Sequence, residues 1–134
     1  MPIMNWDKSL DIGVKAMNDE HHGLLDIMNQ IYDAHAAGKQ GATINALVAK
    51  LGEACTEHFA HEEAYMQRIG YPGFTNHKAL HTSLLTRYGD FAARIRAAGG
   101  IASDDFFQFL KFWLSSHIKG IDTKYAAHAT SVGR

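Results

Sequence analysis

Between positions 57 and 66 the chain reads EHFAHEEAYM, with two histidines and three glutamates inside seven residues of a segment otherwise suited to a helix core. Imidazole and carboxylate are the side chains that bind transition metals and move protons near neutral pH. His58 and Glu62 are four residues apart, and so are His77 and His81. On a helix turning about 100° per residue, each pair is separated by only about 40° and faces one way. Both pairs interrupt apolar stripes, where an unpartnered polar group costs roughly 1–7 kcal/mol. His117 ends a third stripe, and either His21 or His22 opens a fourth; spacing does not choose between those two. A single buried histidine is ordinarily a hydrogen-bonded core residue. Histidines recurring on four helices at one level, joined by a carboxylate, point instead to a metal site.

The elements that must bring these residues together are helices. Apolar side chains recur three and four apart in four stretches, and the only prolines are Pro2 and Pro72. The first stretch, about residues 18–37, puts Leu25, Met28 and Tyr32 on one face. The second, about 42–69, steps through Ile44, Val48, Leu51, Cys55, His58, Glu62 and Met66. The third, about 74–98, runs His77, His81, Leu84, Tyr88, Phe91 and Ile95 before Gly99 and Gly100. The fourth opens at Ser103, a candidate N-cap followed by two acids, and carries Phe106, Leu110, Trp113 and His117. Short glycine-containing links at 38–41, 70–73 and 99–103 favour antiparallel neighbours. The expected fold is all-α: an up-down-up-down antiparallel four-helix bundle, with an N-terminal arm over 1–17, the bundle over 18–125 and a polar tail over 126–134. In that arrangement the histidines of all four helices meet at one end. His35 falls more than three turns away and reads as structural, His128 falls in the tail, and Cys55 reads as a buried thiol.

Composition narrows the function classes. At 134 residues and 46% apolar content, the chain supports one domain with a sizeable core. Thirteen Lys and Arg against fourteen Asp and Glu give a net charge of −1 with no basic stripe, which argues against nucleic acid. The start has no signal-like pattern and no apolar run is long enough for a membrane span. Cys55 is the only cysteine, so no internal disulfide can form, which fits a cytoplasmic protein; a monomer is expected.

Four segments, DEHH (19–22), HFAHEEAYM (58–66), GYPGFTNHKALH (70–81) and HIKGIDTKY (117–125), together with the spacing of Trp6 and Gly13 in the arm, resemble the hemerythrins, the single-domain bacterial ones most closely. The resemblance spans nearly the whole chain. It implies a non-haem pair of irons joined by an oxo or hydroxo bridge. His77, His81 and His117 would hold one iron, His22 and His58 the other, and Glu62 and Asp122 would bridge them, leaving one position open for dioxygen. His22 rather than His21 is taken from the family's Asp-x-x-His spacing, counted from Asp19. Asp122 lies five residues after His117, about 140° away on a regular α-helix, so a π-type turn or a helix end helped by Gly120 is expected there. Leu25, Phe59, Trp113, Leu114 and Ile118 match the family's apolar pocket. The implied activity is reversible dioxygen binding for storage, for sensing, or for delivery to a protein acceptor, not enzymatic turnover. The alternative is a diiron oxidase, a peroxidase or a nitric-oxide-reacting enzyme. Ferritin-like bundles use Glu-x-x-His pairs, and none lies on an inner stripe here.

Overall fold

The computed structural model describes residues 4–132, so the first three residues of the arm and the last two of the tail lie outside it. Four long helices form an antiparallel bundle, with no strand among the described residues. They are α1 (Lys15–Ala36), α2 (Ala42–Arg68), α3 (Phe74–Ala97) and a fourth helix in three continuous parts. Its parts are α4 (Asp104–Phe112), a π-helical segment (Trp113–Asp122) and α5 (Thr123–Ser131). No described helix is long and apolar enough to cross a membrane.

Two boundaries differ from the expected ones. α1 begins at Lys15, ahead of Asn18, so Asn18 sits in its first turn. There its side chain accepts from Ile12 N–H at 3.0 Å and donates to Asp11 Oδ1 at 2.8 Å, tying the arm to the helix it precedes. The tail is also not a tail at 126. Helix α5 continues through Ser131, with Ala126 and Ala129 buried and the His128 ring nitrogen 3.1 Å from the Ile69 carbonyl oxygen. The hydrophobic pattern there is too short and too alanine-rich to separate a packed helix end from a solvated one.

The half of the bundle away from the histidines is a conventional apolar core. Met28, Ile31, Ile44, Leu51, Phe106 and Leu110 are fully buried, each contributing about 1.5–3 kcal/mol by leaving water. Tyr88 crosses from α3 to donate its hydroxyl to the Val48 carbonyl of α2. Gly52 makes room for that ring, since a Cβ there would stand 3.1 Å from it. At the same end the two links touch. The N–H of Gly41 meets the Gly100 carbonyl at 3.3 Å, and a Cβ on Gly100 would fall 2.4 Å from the Gly41 backbone. Gly100 also has φ +79°, which side chains avoid.

Gly100→Ala is therefore expected to destabilise by about 1–3 kcal/mol, combining strain with a backbone clash. Gly23→Ala, mid-helix with open space around it, is expected to stabilise by about 0.5–1 kcal/mol. Urea unfolding of the two variants beside the parent protein checks both signs.

Candidate metal centre

Helix spacing carries one titratable side chain after another into the lower half of the bundle. Glu62, the second member of the His58 pair, is fully buried at the end of α2. His77 and His81 come from the start of α3 and are 2% and 1% exposed. His117 and Asp122 come from the fourth helix, and the π-helical segment is what unites them. With hydrogen bonds closing five residues apart instead of four, residues five apart stack on one face, and His117 Nε2 stands 3.1 Å from Asp122 Oδ1. The segment extends for ten residues, well beyond a single turn.

The fifth imidazole is His21, not His22. His21 is 1% exposed, and its Nε2 lies 3.2 Å from Asp122 Oδ2. His22 is exposed and stacks on Trp6 of the arm, with ring centroids 3.7 Å apart. The inward stripe of α1 runs Met17, His21, Leu24 and Met28, all buried, and His22 is rotated about 100° from it. Because α1 starts before Asn18, Met17 lies one turn ahead of His21 and belongs to the same buried stripe. Beginning the helix at 18 leaves Met17 out of the stripe and hides that signal, and counting three residues on from Asp19 lands on His22.

The five Nε2 atoms divide between the oxygens of the two carboxylates. Glu62 Oε1 lies 2.8 Å from His81 and 3.2 Å from His77, while its Oε2 lies 3.3 Å from His58 and 3.6 Å from His21. Asp122 Oδ1 lies 3.1 Å from both His77 and His117, and its Oδ2 faces His21. Each carboxylate thus turns one oxygen to a three-histidine group and the other to a two-histidine group. Despite these short separations, Nε2 of His21, His77, His81 and His117, Oε1 of Glu62 and both oxygens of Asp122 are buried and make no hydrogen bond. Nitrogens and oxygens so close together and yet unbonded suit a place where cations belong. Glu62, His77, His81, His117 and Asp122 converge closely enough to hold one ion, and His21, His58 and Glu62 a second.

Electrostatics agree with this reading. Burial alone disfavours a charged imidazole, but Glu20, Glu62 and Asp122 outweigh it at His58 and push it up to about 9. At His77, burial is likewise overcome by Asp122 and Glu62, again to about 9. Burial would raise both central carboxyls, and the surrounding imidazoles hold them well below the usual range. The cluster is built for positive charge at its centre.

Two further sets of residues bear on the site. Leu25, Phe59, Trp113, Leu114 and Ile118 are all buried, and Phe59 stacks on the His81 ring at 3.9 Å. Tyr125, for which the sequence allows either a hydrogen bond near Asp122 or a cap on the bundle end, donates its hydroxyl to Glu62 Oε2 at 2.8 Å. Two residues that helical spacing turns away from the seam also come close. Glu63 Oε2 stands 2.8 Å from His81 Nδ1, and exposed His61 meets Glu20, which also reaches His58. Azimuth on one helix does not reveal a partner reaching across from the next. Cys55 is buried, and burial pushes its thiol pKa up, so it is inert at neutral pH.

Comparison with known proteins agrees with this geometry. The hemerythrin HHE cation binding domain matches residues 12–129. A bacteriohemerythrin of Stenotrophomonas maltophilia is 29% identical over 94% of this chain and 81% of its own length. A hemerythrin of Sipunculus nudus is 32% identical over 90% of this chain and 88% of its own. A crystal structure of wild-type hemerythrin superposes with a TM-score of 0.84 at 29% identity, covering 92% of this chain and 95% of that one. With a cluster of five imidazoles and two shared carboxylates at the site's centre and a domain match along almost its whole length, the chain belongs to the hemerythrin family.

Proposed function

We infer that this protein binds dioxygen reversibly at a pair of non-haem irons and acts as a carrier, store or sensor of oxygen. The observation that carries the reading is the division of Glu62 and Asp122, each with one oxygen toward His77, His81 and His117 and the other toward His21 and His58. Two carboxylates shared in this way suit two cations side by side, with fewer imidazoles on one than on the other. When bound, the iron pair supplies the electrons and the open coordination position that dioxygen needs. Imidazole and carboxylate are compatible with iron, and the hemerythrin relatives support its choice over other metals.

The chain's own residues would do the rest. His77, His81 and His117 would hold one metal, His21 and His58 the other, with Glu62 and Asp122 available to both. Tyr125 fixes one oxygen of Glu62 through its hydroxyl. Leu25, Phe59, Trp113, Leu114 and Ile118 are buried and apolar, and as the walls of the oxygen pocket they would keep water from competing for the open position and from assisting irreversible oxidation. A binding protein rather than an enzyme is the reading these parts support.

The primary test is an anaerobic-to-air cycle with the visible spectrum and iron content recorded together. Two irons per chain and a charge-transfer band that appears in air and disappears on deoxygenation are expected; irreversible oxidation in the first cycle would overturn the carrier reading. Leu114→Ala should retain both metals and speed autoxidation by roughly tenfold, through water entering the cavity it leaves. An unchanged autoxidation rate would remove Leu114 from the oxygen pocket.

Protons and metals compete for the same nitrogens. In the metal-free chain the folded-state pKa values of His58 and His77 are raised, so their stabilising effect is complete below about 6.5 and lost as pH rises through about 9. Glu62 and Asp122 are shifted down, so theirs is present above about 4 and lost on further acidification. Thermal unfolding of chelator-treated protein should therefore give a lower midpoint at about pH 9.5 than at about pH 6. Metal-loaded protein should not show that fall.

A further inference from the structure

Two carboxylates outside the central cluster remain without a role. Glu20 adjoins His21 on α1, yet its Oε1 lies 2.6 Å from Nδ1 of His58 on α2. Glu63 adjoins Glu62 on α2, yet its Oε2 lies 2.8 Å from Nδ1 of His81 on α3. In both cases the residue next to one helix's inward group grips the imidazole of the next helix. A neutral imidazole donates to a carboxylate only through N–H, so Nδ1 carries the proton and Nε2 keeps its lone pair. That Nε2 is the atom facing the cluster, 3.3 Å from Glu62 Oε2 for His58 and 2.8 Å from Oε1 for His81.

The distribution is not symmetric within each group but is even between them. His58 belongs to the two-histidine group and His81 to the three-histidine group. By contrast, Nδ1 of His21 and Nδ1 of His77 are buried with no hydrogen-bond partner. Glu20 is itself held from outside, since its second oxygen lies 2.7 Å from Nδ1 of the exposed His61.

We propose that Glu20 and Glu63 are positioning residues, one for each metal, fixing the tautomer and ring orientation of His58 and of His81 and strengthening each as a ligand. The proposal rests on the two-metal reading above. Carboxylates behind a ligating histidine typically change metal affinity by about 10–100-fold, because they hold the ring in place and increase electron donation from its other nitrogen. Glu20 would act on the metal of the two-histidine group and Glu63 on that of the three-histidine group.

The test uses zinc(II), which is diamagnetic and needs no oxygen chemistry. Competition against a chromophoric chelator measures the two zinc affinities of the full chain. Nitrogen-15 correlation spectra of the zinc-loaded protein report which ring nitrogen of His58 and His81 bears the proton. Glu20→Ala and Glu63→Ala are each expected to weaken a different one of the two ions by about 10–100-fold and leave the other within about threefold. The Nδ1 proton of the matching histidine should then exchange rapidly with solvent. Glu20→Gln and Glu63→Gln keep shape and one acceptor oxygen but lose the charge, so they should restore the tautomer and only part of the affinity. Unchanged zinc affinities in both alanine variants would overturn the proposal, as would equal weakening of both ions by either variant. Failure of the parent protein to bind two zinc ions would overturn the two-metal reading and this one with it.

Discussion

Two ionisable carboxyls, Glu62 and Asp122, lie at the centre of the bundle with no exposed surface, and the rest of the molecule is arranged around the need to neutralise them. An isolated buried carboxylate would be prohibitively costly, and a carboxyl in an apolar interior escapes that cost by taking up a proton. Here it does not, because five imidazoles surround the pair and hold both acids ionised. The charges can be balanced by imidazolium protons or by metal cations. Every helix must deliver its share at the same height, which fixes the register of all four against one another.

That demand falls hardest on the fourth helix. A regular α-helix cannot turn two residues five apart toward one point, and the chain meets the constraint by adopting π-helical hydrogen bonding from Trp113 through Asp122. π-helical geometry is uncommon and concentrates at functional sites. The same segment buries Trp113, Leu114 and Ile118 along with the two polar groups, so one backbone adjustment builds part of the cluster and part of the apolar interior. The far half of the bundle is built instead from close-packed apolar side chains and the tight contact between Gly41 and Gly100.

The polar half is also layered. Inward imidazole nitrogens face the central carboxylates, outer nitrogens of His58 and His81 face carboxylates that reach solvent, and Tyr125 closes the remaining side of Glu62. Neighbouring helices are therefore joined through the site as well as through the core. Buried polar networks of this kind are favourable only when each member is satisfied; the unsatisfied atoms here are inward nitrogens and oxygens of the cluster, where cations would stand, together with the outer Nδ1 of His21 and of His77.

Local sequence is enough to specify the four-helix bundle and most of the cluster. Period-3.6 apolar stripes, three glycine-containing links and i,i+4 pairs such as His58 with Glu62 are properties of the chain that survive without any neighbour. Once the family resemblance marks His117 and Asp122 as partners, their five-residue spacing itself requires a π-type departure. Contacts between elements settle the remainder. Adjacent histidines on one helix differ only by a rotation of about 100°, and which of His21 and His22 turns inward is set by how α1 packs, with Met17, His21, Leu24 and Met28 buried and His22 stacked on Trp6 of the arm. Glu20 and Glu63 sit off the inward stripe of their own helices, so no periodicity marks them, and they acquire a role only because the next helix brings a histidine within 3 Å. Helix α5 likewise packs because Ile69 and Tyr71 are there to receive His128. Periodicity sets which face of an element is buried; only packing sets what that face, and its edges, will meet.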